Sequence, residues 1–276
     1  MFYKLKELQG YKIRASDGEL GSVHEVYFDE HEWRVRYFVV DTGTLLPGRK
    51  VLIAPESVSG IDSDEQAVVV KLTREHVKNS PDINTDTPVT REHETALSKY
   101  YGWNQYWIAG YPMRPGMGDN FGMPYGVVGV PAPEGPHNTE DEELEAIEDQ
   151  DRESTLCSSR DVAGYHIAAT DGEIGHVDDY IIDAANWDIR YLVVETGGWL
   201  NERKVLLAPE WIESIDWHEN RVYANLTRDA ISNSPKYDPD VPLTREYESQ
   251  LFDSYQRPRY WEPQQDKPKR QREQQH

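Results

Sequence analysis

Apolar and polar residues alternate in short runs over the first hundred positions, the period expected of half-buried strands. Tyr11–Ala15, Leu20–Phe28 and Trp33–Val40 each read this way. In the third run Val35, Tyr37 and Val39 are expected on one face, with Arg34, Arg36 and Phe38 on the other. Ser16-Asp17-Gly18 separates the first two runs, and glycine tolerates the positive φ that a tight hairpin turn demands. Lys50–Ala54 and Ala67–Leu72 are further strand-like pieces. The pattern then changes. Thr73-Arg74-Glu75 and Thr90-Arg91-Glu92 each open a short helix, with a threonine able to cap and an acid in the first turn, where the helix dipole favours it. Asn79-Ser80-Pro81 stops the first of these, and the second reaches Tyr101.

The same pattern returns 154 residues later. Gly10-Tyr11, Asp17-Gly18-Glu19, Gly21, Trp33, Arg36-Tyr37 and Arg49-Lys50-Val51-Leu52 reappear as Gly164-Tyr165, Asp171-Gly172-Glu173, Gly175, Trp187, Arg190-Tyr191 and Arg203-Lys204-Val205-Leu206. No gap is needed from residue 10 to residue 101, and about 43 of those 92 positions are identical, so the chain is a duplication. Many short strands with regular turn signals predict a small antiparallel barrel or a strongly bent sheet in each copy, followed by short helices. The expected organisation is a first barrel with helical tail over 1–101, a linker over 102–160, a second barrel with tail over 161–261, and a disordered polar tail over 262–276.

The linker divides in two. Its first half is rich in glycine, proline, methionine and aromatic residues, as in Tyr111-Pro112-Met113-Arg114-Pro115-Gly116. From Glu134 to Glu153 there are ten acids against one arginine. Thr139 and Glu142 fit a capping box, which predicts a short helix over Glu140–Asp149. A solvated spacer is the expectation for the whole stretch, with a docking segment as the alternative.

Charge narrows the function classes. With 29 Lys and Arg against 50 Asp and Glu, the net charge is −21, which excludes a sequence-independent grip on nucleic acid through phosphate neutralisation and disfavours an anionic membrane surface. A single cysteine, Cys157, excludes an intramolecular disulfide. No apolar run matches a signal peptide or a spanning helix, so a cytoplasmic protein is expected.

No catalytic constellation emerges. The nine histidines never face one another across the duplication: His24 matches Asp178, His31 matches Ala185 and His76 matches Ala230. A metal site inherited by both copies through imidazole is thereby ruled out, and no metal is expected. Shared acids such as Asp17/Asp171, Asp29/Asp183, Glu56/Glu210 and Asp62/Asp216 sit beside turns, where carboxylates bond backbone or face water. No Gly-x-Ser-x-Gly or phosphate-binding glycine loop occurs, so no cofactor is expected. Cys157 lies in the polar run Leu156-Cys157-Ser158-Ser159 at a domain edge.

The ordered set Gly-Tyr, Asp-Gly, Glu-x-Gly-x-Val, Arg-Tyr-x-Val-Val, Thr-Gly and Lys-Val-Leu-x-Ala-Pro, present twice, resembles the PRC-barrel family. The last element stands at Lys50–Pro55 and again at Lys204–Pro209. The resemblance covers roughly residues 5–80 and 159–234. It implies a mainly β protein of two tandem small antiparallel barrels, of the type seen in the cytoplasmic domain of the photosynthetic reaction centre H subunit and at the C-terminal end of the ribosome maturation factor RimM. It also implies a binding module that supports assembly with other macromolecules and is not an enzyme.

Aromatic residues carry the functional expectation. Trp33/Trp187, Tyr37/Tyr191, Tyr106/Tyr260 and Trp107/Trp261 recur, whereas Trp199, Trp211 and Trp217 replace Leu45, Ser57 and Ser63. Trp and Tyr are enriched in interface hot spots, so Trp103, Tyr106, Trp107, Trp199, Trp211 and Trp217 form the candidate protein interface, with packing between barrel and tail helices as the competing role. The favoured function is a non-catalytic, self-associating protein-binding scaffold whose two modules allow bivalent engagement. The alternatives are a peripheral cytoplasmic subunit of a membrane photosynthetic or electron-transport complex, and a carboxylate-dependent hydrolase.

Overall fold

A computed structural model describes residues 1–43, 45–82, 87–107, 154–197 and 203–262. The chain forms mainly strands. In the first copy these are β1 (Phe2–Lys4), β2 (Lys12–Ala15), β3 (Gly18–Asp29), β4 (Arg34–Asp41), β5 (Lys50–Ile53), β6 (Val58–Asp62) and β7 (Ala67–Val70). The second copy repeats them as β8 (Leu156–Ser158), β9 (His166–Ala169), β10 (Gly172–Asp183), β11 (Asp188–Thr196), β12 (Arg203–Leu207), β13 (Ile212–Asp216) and β14 (Arg221–Ala224). Helices α1 (Leu5–Leu8), α2 (Arg74–Lys78) and α3 (Arg91–Tyr101) have counterparts α4 (Ser159–Val162), α5 (Arg228–Asn233) and α6 (Arg245–Ser254). The four threonines behave as the sequence predicts: Thr73, Thr90, Thr227 and Thr244 each accept a backbone N–H three residues on.

Local chemistry fixes the frame of each copy. Ala15 pairs with Gly18, leaving Ser16-Asp17 as a two-residue turn. The Asp17 carboxylate accepts the N–H of Arg74 at 2.8 Å, and Asp171 accepts that of Arg228 at 2.7 Å, so each turn is tied to the start of a helix. Further along β3 the backbone passes close to its neighbour: a Cβ on Gly21 would overlap the carbonyl oxygen of Asp41, and one on Gly175 that of Glu195. Only glycine fits there, which accounts for the repeated Glu-x-Gly.

The fourteen strands make one sheet, ordered β13-β14-β9-β10-β11-β4-β3-β2-β7-β6, with β1 on β10, β12 on β11, β5 on β4 and β8 on β3. The order is palindromic about the β11–β4 junction, so the copies are related by a pseudo-two-fold axis. Three expectations change. The sheet is mixed, because β2 runs parallel to β7 and β9 parallel to β14. Leu156–Ser158 and the first two residues of α4, Ser159 and Arg160, read as the end of the linker, are ordered parts of the fold. The leading strand of each copy lies on the other copy: Phe2 opposes Asp183, and Leu156 opposes Asp29.

Within β4 the register against β3 slips between Tyr27↔Tyr37 and Phe28↔Val35, leaving Arg36 unopposed. Arg190 is left out of the β10–β11 ladder in the same way. A bulge of this kind turns the strand by one residue. Val35 therefore joins Phe38 in the main core, whereas Tyr37 and Val39 face α3 in a second cluster, so the single-face pattern expected for Val35, Tyr37 and Val39 is broken. The main core runs through both copies, from Leu5, Leu8 and Phe28 to Tyr180, Ile182 and Phe252. Cys157, read as a polar edge residue, is buried in it, and burial together with Glu30 pushes its thiol well above the ordinary range. The helix expected over Glu140–Asp149 and the tail from residue 263 lie outside the described residues.

Candidate functional site

Each copy places one glutamate beneath its tail. Glu94, fully buried on α3, accepts the Tyr106 hydroxyl at 2.6 Å, the Tyr37 hydroxyl at 3.2 Å and Arg91 Nη1 at 2.7 Å. Ser154 Oγ completes the set at 3.1 Å. In the second copy Glu248, 1% exposed, accepts Tyr191 at 2.7 Å and Tyr260 at 3.0 Å and forms an ion pair with Arg245 at 3.0 Å. Burial raises the Glu94 carboxyl above its ordinary range, against the pull of Tyr106 and Arg91. Burial, reinforced by Glu94, lifts the Tyr37 phenol well above its own. With its oxygens engaged by donors that hold their protons, the glutamate acts as a latch fastening the tail to the sheet. The bulged arginines cover it. The Arg36 guanidinium lies 3.7 Å from the Tyr106 ring centroid, and Arg190 lies 4.2 Å from that of Tyr260.

At the junction Trp33 and Trp187 adopt positive φ, 52° and 64°, an uncommon backbone for so bulky a side chain. That turn presents each carbonyl to the other copy: Ile189 N–H donates to Trp33 O at 2.7 Å and Val35 N–H to Trp187 O at 2.9 Å. A cavity opens on either side of this crossing. One, of about 370 Å³, is lined by Arg34, Arg36, Glu56, Trp103, Tyr106 and Trp187 among others. The other, of about 630 Å³, is walled by Trp33, Phe252 and Tyr260 and edged by the carboxylates of Glu30, Glu32, Asp188, Glu210 and Glu213. Arg190 and His31 are the cationic or titratable counterweights in it. Burial raises the Glu210 carboxyl, opposed by Arg190 and Arg257. Each cavity takes its bulged arginine, Pro-Glu turn and tail tyrosine from one copy and the positive-φ tryptophan of the crossing from the other.

A family model for the PRC-barrel domain matches residues 1–77 and 158–231, over half of the chain. The chain belongs to the PRC-barrel family. PRC-barrel domains are in general non-catalytic modules. A search of curated proteins finds no match to this chain. The first family match includes the leading strand β1 that the structure places on the opposite copy, and the second begins at the last residue of β8.

The aromatic residues singled out from the sequence are dispersed by the fold. Tyr106 belongs to the Glu94 latch, and Trp107 packs edge-on against it under Arg91. Trp103 stacks on Tyr101 at 4.2 Å and donates Nε1–H to Ser57 Oγ at 2.8 Å. Trp211, which stands where the first copy has Ser57, is 2% exposed and packs on Tyr255 and Phe252. Position 257, the counterpart of Trp103, is arginine. One indole thus fills the same space in both copies, supplied by the tail in the first and by the Pro-Glu-Trp turn in the second. Trp217 is 40% exposed beside Tyr165, and Trp199 lies outside the described residues. Sequence reading missed Glu94/Glu248, Arg91/Arg245 and the bulged Arg36/Arg190. Their recurrence at a spacing of 154, in a glutamate three residues after a helix-opening arginine, was the available signal.

Among the described residues no group of three His, Cys, Asp or Glu side chains is arranged to hold a metal ion. No described helix is long and apolar enough to cross a membrane.

Proposed function

We propose that this PRC-barrel protein is a non-catalytic binding scaffold, and that the larger junction cavity receives a basic segment of a protein partner. The observation that carries this reading is the cavity's composition. Five carboxylates surround aromatic walls on a chain of net charge −21, and such a cleft concentrates cationic groups by its field. Aromatic faces add cation–π and stacking partners for arginine and lysine. Both copies contribute to the walls, so the site exists only in the paired arrangement.

The test is titration of a short arginine-rich peptide, with a neutral peptide of equal length as control, into the full chain. Reversing Glu32 and Glu213 to lysine is expected to weaken binding roughly tenfold, and added salt to weaken it further. Reversing Glu75 and Glu92, which lie away from the cavity on α2 and α3, provides the equal-charge control. An equal loss in both double variants would show attraction by net charge alone and would overturn the assignment.

A further inference from the structure

We infer that the two copies hold each other without the connecting segment 108–153, as a strand-exchanged pair that stays assembled when the chain is cut there, each half being the specific partner of the other. The connection does not bridge a distance. It leaves the first copy just after Tyr106 and returns at Ser154, and the side chains of both residues bond the one carboxylate of Glu94. The chain therefore comes back to the place it left.

What joins the halves lies elsewhere. Strand β1 of the first half is hydrogen-bonded into β10 of the second, and β8 of the second into β3 of the first. The exchange is anchored at both ends of the molecule: Lys6 N–H donates to Asp179 at 3.0 Å and Lys4 Nζ to the carbonyl of Pro239 at 2.9 Å, while Thr155 Oγ1 donates to Asp29 at 2.8 Å and Val26 N–H to Ser159 Oγ at 3.2 Å. Phe28 and Tyr180 meet across the boundary at 6.0 Å within a single core.

The β4–β11 crossing sets who pairs with whom. Arg34 opposes Asp188, which is its own duplicate position. Two identical halves joined this way would set like charges face to face. Here Arg34 Nε bonds Asp188 Oδ1 at 2.7 Å, so the first half prefers the second half over another first half. This reading stands independently of the ligand assigned to the acidic cavity.

The experiment uses the full chain with a site-specific protease sequence placed at Gly116, cut after folding. The fragments are expected to run in size-exclusion chromatography with light scattering as one particle of the uncut mass, 31.9 kDa. Fragments that separate at micromolar concentration would overturn the inference. Within the cut protein, Arg34→Asp is expected to weaken the pair roughly three- to fivefold, and adding Asp188→Arg to restore it. If Arg34→Asp leaves the dissociation unchanged, or Asp188→Arg does not rescue it, the self-facing position does not select the partner. Removing residues 1–4 is expected to speed separation on dilution, and an unchanged rate would show that the exchanged strand contributes nothing.

Discussion

The two junction cavities are assembled from equivalent parts and differ in size and in charge. Around the larger one stand Glu30, Glu32, Asp188 and Glu213, where the equivalent positions on the other side of the axis are Ala184, Asn186, Arg34 and Ser59. The latches behind them have hardly changed: arginine, two tyrosines and glutamate recur in both. Duplication thus preserved what fastens each tail to the sheet and let the rim of one cavity turn acidic. Residues whose partners lie inside one copy are held by packing and hydrogen bonds. Residues at the crossing face a neighbour that is no longer a replica, and are free to diverge.

The sharpest attack on the equivalence of the copies is at the close backbone approaches. Gly21→Ala and Gly175→Ala each force a Cβ onto a carbonyl oxygen of the neighbouring strand, and each is expected to cost about 4 kcal/mol or more, read by urea denaturation of the full chain. A large penalty at one glycine and a small one at the other would show that the two frames are not held alike.

Next in size are the latches. Glu94→Ala strips Tyr37 and Tyr106 of their acceptor and Arg91 of this counter-charge, and is expected to cost about 3–5 kcal/mol. Glu248→Ala should cost about 1 kcal/mol less, because Glu94 also takes the Ser154 hydroxyl. Equal losses would mean that Ser154 adds nothing and that the return of the chain at residue 154 is not fastened there.

The smallest effect is in the pH dependence. The native state holds the Glu94 proton more tightly than the unfolded chain does, since burial raises this carboxyl. Stability from this site is therefore fully present below the ordinary value of 4.5 and falls as the pH rises from there through the folded-state value. Glu94→Gln removes the titration, so its stability profile measured from pH 4 to 8 is expected to be flatter than that of the unchanged chain. A parallel profile would place the titration elsewhere, for example at Asp179, which burial also raises.

The sequence by itself determined the duplication, most of the strands, the Asp-Gly turns, the recurrence of Glu-x-Gly and the threonine caps. All of these are written in residues close together in the chain, where backbone conformation and periodicity answer to immediate neighbours. The tertiary structure decided the rest. A three-residue strand such as Phe2–Lys4 or Leu156–Ser158 carries the same alternation whichever sheet edge it joins, so its place on the opposite copy could not be read from it. One unopposed residue, Arg36, moved Tyr37 to the other face of its strand, because side chains alternate and a single slip inverts the order. Trp103 and Trp211 fill one space from two different segments, and Glu94 is a latch only because Tyr37, Tyr106 and Ser154 come from three separate parts of the chain. Such roles depend on which surfaces close over each other, a property of the packed whole that no local pattern encodes.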